Sequence, residues 1–293
     1  MVYNCGDIIA FFMVTNNSQG AIITIINKKG YKANYREIVK DGIKRKAIEI
    51  GYPDMNIRPV IYVDAILGAD NMAYEELAEK IIEIANANKP TKDIDLTFVT
   101  DWSKVKENVI ACIRPVVEDN DTITKDYLDL QIYFRIIIPS PGERDDLATI
   151  TVRHDLFDKW GITVDELCNA AYDNCLNKTV IMPLSSIVQD MDPDILIPQT
   201  TEMTVVSNKM KRFGAIAMTM TDTLRDLHKR IGQNFYILPS SIHEILVVPE
   251  TIAPNGADEL KMMVASVNDT EVAPNEILSY SVYYYDGALL QIA

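Results

Sequence analysis

The sequence predicts an α+β protein of recurring strand-strand-helix units, in which mainly antiparallel mixed sheets carry helices packed on one face. Short β-rich segments come in close pairs along the chain, and amphipathic helical patterns follow several of the pairs. Close spacing favours antiparallel pairing, because parallel neighbours need a crossover of roughly a dozen residues. We find no fixed-period self-similarity, so the units do not form a solenoid.

The N-terminal part is predicted to place two or three strands before its first long helix. Asp7 can cap a short helix that runs through Met13. Runs rich in β-forming residues predict strands at Ala21–Ile26, Ile43–Ile50 and Pro59–Asp64. An amphipathic pattern predicts a helix over about Met72–Ala87. A second helix should begin at the N-cap Asp101 and end at Pro115.

The C-terminal part is predicted to repeat the order strand, strand, helix. The predicted strands are Tyr127–Ile138, Leu147–Val152, Met203–Ser207, Gly214–Met220, Phe235–Leu238 and Ile242–Val248. A capping box of Thr163 and Glu166 starts one helix, and Gly232 in the C′ position ends the next. The last helix carries an apolar stripe of Leu260, Met263, Val264 and Val267.

A closing hairpin is predicted from the dipeptide Asp286-Gly287, which favours a tight turn between Tyr280–Tyr285 and Ala288–Ile292. Strand alternation would put Tyr283 and Tyr285 on one face and Tyr284 on the other. Core and cross-strand packing therefore explain most of this tyrosine cluster. An aromatic contact patch for a partner is the alternative.

A polar, acidic segment without periodicity, Pro115–Asp126, is the candidate boundary between two α+β lobes. The predicted lobes are residues 1–116 and 124–293. A loop within one domain is the alternative.

Composition is that of an ordinary globular protein: 48% of the 293 residues are hydrophobic and 24% are charged. The formal net charge is -14, from 42 acidic and 28 basic side chains. The averaged surface field therefore repels phosphate backbones and anionic lipids, so we expect no direct binding of nucleic acid or membrane. The apolar run Ile8–Val14 lacks the basic leader of a signal peptide, and we expect a cytoplasmic protein.

The four cysteines, Cys5, Cys112, Cys168 and Cys175, have neither metal-ligand spacing nor a regular framework. They indicate reduced thiols in a reducing compartment. A disulfide network is the alternative.

The candidate catalytic residues are Ser240, Ser241, His243 and Glu244, which bring nucleophile, base and carboxylate types together within five positions. Serine triads, however, take their members from distant segments. The alternative is a turn at Pro239-Ser240-Ser241 that leads into a strand. A zinc helix of the His-Glu-x-x-His type is excluded, because position 247 is Val.

His154, Asp155 and Trp160 are candidate binding residues, because they follow a predicted strand and could line a cleft beside a helix. A packing role for the histidine is the alternative. Asp190, Asp192 and Asp194 alternate as in a calcium loop, but the glycine and glutamate of that loop are replaced by Ile195 and Thr201. A solvated acidic loop is therefore predicted there. No metal site and no nucleotide-binding loop is identified, so we expect no cofactor.

Several sequence segments resemble those of a bacterial family called domain of unknown function 5688. They are IRPVIYVD at Ile57–Asp64, DKWGITVDEL at Asp158–Leu167, FYILPSSIHEILVVP at Phe235–Pro249 and NDTEVAPNEILSYSVYYYD at Asn268–Asp286. The resemblance covers about Ala21–Asp286, and the C-terminal half is distantly similar to the uncharacterised family numbered 1444. It implies an intracellular protein of bacteria or their mobile elements, with no established reaction and no catalytic residue to carry over.

The function that we expect from these observations is that of a non-enzymatic, acidic protein-binding protein. An acidic surface or an exposed sheet edge would engage a partner protein. A special case is an inhibitor whose carboxylates mimic nucleic acid. The alternative is a hydrolase or metal-assisted enzyme centred on Ser240, Ser241, His243 and Glu244.

Overall fold

The computed structural model describes residues 16–40, 43–52, 58–63, 66, 72–89, 97–138, 149–191 and 203–293. The predicted helix after Asp7, residue Cys5 and the acidic positions Asp192 and Asp194 lie outside the described residues. Backbone contacts divide the chain into two units, Met1–Asp95 and Leu96–Ala293.

The first unit has the order helix, three strands, helix. Helix α1 spans Asn16–Lys28, strands β1 to β3 span Lys32–Lys40, Ile43–Gly51 and Val60–Tyr62, and helix α2 spans Tyr74–Ala87. The strands form an antiparallel sheet in chain order, with Ala33 opposite Ile50 and Ile48 opposite Ile61. One face of this sheet and both helices build a common core.

The strand predicted at Ala21–Ile26 is wrong, because this segment lies within α1. Its β-branched residues suggested alternation, but Ile22 and Ile26 are one helical turn apart and both are buried. A short apolar run satisfies both periodicities, and packing against α2 selects the helix. The predictions of β2, β3 and α2 are confirmed.

The second unit begins with a four-stranded antiparallel sheet. After the one-turn helix α3, Trp102–Val105, strands β4 to β7 span Val109–Pro115, Thr124–Tyr127, Leu130–Ile137 and Thr149–Thr151. Strand β6 pairs with β4 on one side and with β5 and β7 on the other. The predicted lobe boundary at 116–124 therefore falls inside this unit, in a polar loop between two strands of one sheet.

Two sequence predictions in this sheet are corrected. Asp101 is the N-cap, its carboxylate accepting from the N–H of Ser103, but the helix does not continue to Pro115. Val109–Pro115 is the strand β4. All its residues but the last are buried, so the burial pattern does not have the period of a helix with one buried face. The long strand predicted at Tyr127–Ile138 is broken by a two-residue turn at Leu128 and Asp129.

A helical segment follows, comprising α4 at His154–Trp160 and α5 at Val164–Leu176. The capping box is confirmed: the Thr163 hydroxyl accepts from the N–H of Glu166, and the N–H of Thr163 donates to the Glu166 carboxylate. Strand β8, Thr179–Pro183, and helix α6, Leu184–Met191, come next. Cys112, Cys168 and Cys175 are free thiols, and burial raises the pKa of Cys175 to about 11.

The rest of the chain completes a six-stranded antiparallel sheet of order β13-β12-β10-β11-β9-β8. Its remaining strands are β9 at Thr204–Asn208, β10 at Phe235–Ser241, β11 at Glu244–Pro249, β12 at Tyr283–Tyr285 and β13 at Leu290–Ile292. Helix α7 spans Thr221–Ile231 and helix α8 spans Ala257–Thr270. The α+β class with antiparallel sheets is thus confirmed.

Local predictions in this sheet are mostly confirmed. Gly232 ends α7 in the left-handed conformation with a φ of 75°. The Asp286 carboxylate accepts from the N–H groups of Ala288 and Leu289 in the closing hairpin, and these bonds hold the pKa of Asp286 below its usual range. The strand predicted at Gly214–Met220 is wrong, because residues 214–219 form a 3₁₀ helix that packs against β9 and β11.

Candidate functional site

The candidate catalytic segment occupies the end of β10 and the turn that follows it. The predicted turn at Pro239-Ser240-Ser241 is wrong: the strand runs through Ser241, with a register irregularity after Leu238. The chain turns instead at Ile242 and His243. Ser241 is buried, and its Oγ accepts a hydrogen bond from the backbone N–H of His243 at 3.0 Å.

Both ring nitrogens of His243 have partners within the protein. Nδ1 accepts from the backbone N–H of Phe213 at 3.2 Å, and Nε2 lies 3.3 Å from Oε1 of Glu276. Because Nδ1 is the acceptor, the neutral ring carries its proton on Nε2, which donates toward the Glu276 carboxylate. The hydroxyl of Ser241 is bonded to the backbone of His243 rather than to its ring. To deprotonate a nucleophile, Nδ1 of His243 would have to release the N–H of Phe213.

The backbone around His243 is equally well connected. Its carbonyl oxygen accepts from Ser207 Oγ at 2.8 Å and from the N–H of Gly214 at 2.9 Å. The ring of Phe213 meets the imidazole edge to face, with centroids 5.7 Å apart. We call this set the His243 junction: Ser207, Phe213, Gly214, Ser241, His243 and Glu276. Its groups join β9, β10 and the segments around 213 and 276.

The carboxylate that faces the imidazole is Glu276, and not the neighbouring Glu244. Glu244 is exposed at the start of β11. Glu276 is 33 positions from His243 in the chain, and the backbone carbonyl of Glu276 also accepts from the N–H of Ile242. No local sequence pattern indicates this pairing, which depends on how the segment after α8 returns to the sheet.

The candidate binding residues His154, Asp155 and Trp160 are separated by the structure. His154 and Asp155 are exposed at the start of α4, whereas Trp160 is buried at its end. The indole Nε1 of Trp160 donates to the carbonyl of Val99 at 2.7 Å, and its ring packs 5.2 Å from that of Trp102. Trp160 is therefore a core residue, and the three side chains do not line one cleft.

The tyrosine cluster follows the predicted alternation. Tyr283 and Tyr285 are buried, and Tyr284 is half-buried on the other face. Asp129, in the turn between β5 and β6, accepts hydrogen bonds from the hydroxyls of Ser279, Ser281 and Tyr283, the last at 2.7 Å. Burial raises the pKa of Tyr283 well above its usual value.

Two further findings bear on the kind of site. Among the described residues, no group of three or more His, Cys, Asp and Glu side chains is placed to hold a metal ion. In the same part of the chain, none of the helices is both long and apolar enough to cross a lipid bilayer.

Comparison with known proteins identifies the family. A model of the family described as "Family of unknown function (DUF5688)" matches residues 14–287. The chain belongs to this family. No curated protein and no solved structure matches it.

The acidity of this DUF5688 member is concentrated in its second unit. Residues 96–293 contain 29 acidic and 16 basic residues, a net charge of -13, whereas residues 1–95 contain 13 acidic and 12 basic residues. The imbalance is strongest at the end, where residues 231–293 hold eight acidic residues and a single lysine, Lys261. The acidic residues are therefore distributed unequally between the two units.

Proposed function

We propose that this DUF5688 member is a non-enzymatic, acidic protein-binding protein of bacterial or mobile-element origin, acting in the cytoplasm. Its second unit attracts a basic partner protein. The observation that carries the proposal is the composition of the 63 residues 231–293, which include eight acidic residues and one basic residue, Lys261. Such a field accelerates the encounter with a positively charged partner and disfavours anionic ones.

The surroundings of His243 agree with a binding role. Of the residues that suggested a hydrolase, Ser241 and His243 are hydrogen-bonded within the His243 junction, and Glu244 is exposed outside it. The enzyme alternative requires Nδ1 of His243 to leave the N–H of Phe213 and turn to the hydroxyl of Ser241. A special case of the binding role is an inhibitor that occupies the basic site of another protein.

The test compares two variants that each lose four exposed carboxylates. One replaces Glu244, Asp258, Glu259 and Glu271 of the second unit by the corresponding amides; the control replaces Glu75, Glu76, Glu79 and Glu83 of α2 by Gln. The full chain is immobilised, exposed to bacterial lysate at about 50 mM salt, and the captured proteins are identified. Because surface attraction is screened by salt, capture should fall steeply at about 300 mM.

We expect wild type and the α2 variant to retain a basic protein in stoichiometric amount, and the second-unit variant to lose it. Capture that is equal for all three chains and insensitive to salt would contradict the proposal. So would the absence of any partner at low salt.

A further inference from the structure

Helix α8 leaves an apolar groove beside the sheet. The cavity has a volume of about 90 Å³ and is lined by Leu238, Pro239, Leu246, Met263, Val264, Val267 and Asn268. We call this the α8 groove. A groove of this size and apolar lining suits one aliphatic side chain.

The wall that α8 contributes is exposed to solvent. Met263 is 42% exposed and Val267 is 39% exposed, one helical turn apart, whereas Val264 between them is only 5% exposed. The buried Asn268 donates its amide to the carbonyl of Ser279, so this polar side chain is already satisfied. Large apolar side chains exposed around a groove are typical of binding sites, and methionine adapts to partners of different shape.

The sequence prediction placed Met263 and Val267 in the same apolar stripe as Leu260 and Val264. The structure divides that stripe: Leu260 and Val264 are buried against the sheet, and Met263 and Val267 remain at the groove. A stripe that is wider than the contact it makes leaves apolar surface for another molecule.

The rim of the groove is acidic. Glu244 precedes Leu246 by two positions in β11 and so shares its face of the strand. Glu259 is one turn before Met263, and Glu271 is one turn after Val267. All three are exposed. Lys261, the single basic residue of this stretch, is about half a helical circumference away from Met263.

We propose that the α8 groove receives an aliphatic side chain from a Lys- or Arg-rich segment of the partner protein. The inference rests on the proposed function and names its docking site. Charge selects the occupant: a second copy of this chain carries a net charge of -14 and would bring carboxylates against carboxylates. A basic segment places opposite charges on the rim while its apolar residue enters the groove.

Two labelled model peptides test the docking site on the full chain. The first is a 14-residue helix-forming peptide of Lys and Leu, with its Leu residues on one face; the second has the same charge with Ser in place of Leu. Binding is measured by fluorescence anisotropy at about 50 mM salt. We expect the Leu peptide to bind wild type about tenfold more tightly than the Ser peptide, because only it fills the groove.

Two protein variants locate the binding. Met263→Gln with Val267→Thr makes the groove polar at similar volume and should weaken the Leu peptide about tenfold without affecting the Ser peptide. Met262→Gln is the matched control, since Met262 is 69% exposed on the solvent side of the same helix. It should bind both peptides like wild type. Unchanged thermal unfolding verifies that each variant is folded.

Three outcomes would overturn the inference. The Leu peptide would bind the groove variant and Met262→Gln equally, the two peptides would bind wild type with one affinity, or neither would bind. If the lysate partner is captured and the groove variant captures it equally well, the proposed function stands and the docking site fails. If the peptides behave as expected but no partner is captured, the groove stands and the proposed function fails.

Discussion

The His243 junction and the α8 groove both lie along β10 and β11, yet they use their side chains in opposite ways. At the junction, the imidazole, the Ser207 and Ser241 hydroxyls and the His243 carbonyl all have internal partners. At the groove, Met263 and Val267 remain exposed. The residue types that suggest chemistry in the sequence thus connect segments of the fold. The surface available to a partner consists of apolar residues that the sequence pattern does not distinguish from core residues.

The largest effect is expected for Gly214→Ala in the junction. A Cβ at Gly214 would lie 2.6 Å from the His243 carbonyl oxygen and 2.7 Å from both Cα and Oγ of Ser207. Backbone must move to admit it, so we expect a loss of about 3 kcal/mol in the free energy of unfolding, measured by urea denaturation.

Gly20→Ala is the matched control for this substitution. Gly20 lies in α1, and among the described residues no atom beyond its chain neighbours and its own helix backbone lies within 4 Å of a Cβ placed there. Alanine should stabilise the helix there by about 0.5–1 kcal/mol. A Gly214→Ala protein as stable as wild type would show that the junction is loosely packed, and the comparison with the groove would fail.

The next effect concerns Tyr283, which is buried and donates to Asp129. Tyr283→Phe removes one of three hydroxyl donors from this carboxylate and should cost about 2 kcal/mol, measured by urea denaturation at pH 7. Tyr280→Phe is the control: Tyr280 is 50% exposed, and its loss of the bond to Asp269 should have no measurable effect. Equal effects of the two substitutions would mean that the buried hydrogen bond of Tyr283 contributes no more to stability than the exposed hydrogen bond of Tyr280.

Tyr283 also predicts a pH dependence. Burial raises the pKa of Tyr283 above its ordinary value of 10, so above pH 10 the unfolded chain loses this proton while the folded chain retains it. Wild-type stability should therefore fall as the pH rises above 10. The fall should be smaller in Tyr283→Phe. Part of it should persist, because burial raises the pKa of Tyr127 to about 12.

Features with a local cause were predicted from the sequence, and features decided by packing were not. Asp101, the Thr163–Glu166 capping box, Gly232 and Asp286-Gly287 satisfy backbone groups within a few residues, and the structure confirms each. The segments Ala21–Ile26, Val109–Ile113 and Gly214–Met220 are short apolar runs that fit more than one conformation. Packing against neighbouring elements determines whether each of these segments is a helix or a strand.

The same distinction holds for the candidate site. The sequence placed Ser241, His243 and Glu244 together, but the partners that define His243 are Phe213 and Glu276, 30 and 33 residues away. Phe213 has a φ of 60°, which a phenylalanine rarely adopts and which no sequence pattern indicates. The groove could not be predicted because Met263 and Val267 fit the pattern of a buried helical stripe, and nothing in the sequence indicates that they remain exposed.

A smaller loss of stability is expected for His243→Ala, which leaves the N–H of Phe213 without its acceptor. We expect about 1.5 kcal/mol by urea denaturation. His243→Asn should recover much of this loss, since an amide oxygen can accept from Phe213 at the position of Nδ1. Under the enzyme alternative, both variants would lose a cellular function of the protein, although His243→Asn is folded. Under the binding role, the Asn variant should keep partner capture.

The smallest effect on stability is expected at the groove. Met263→Gln and Val267→Thr change side chains that already contact water, and similar volumes leave Val264 and Leu238 packed as before. The free energy of unfolding should therefore change by about 0.5 kcal/mol or less, the range of ordinary surface substitutions. Met262→Gln should behave in the same way. A loss as large as that of His243→Ala would mean that the groove side chains support the core. The apolar surface of α8 would then be part of the core. The acidic residues around it would have no apolar binding surface beside them for a basic partner.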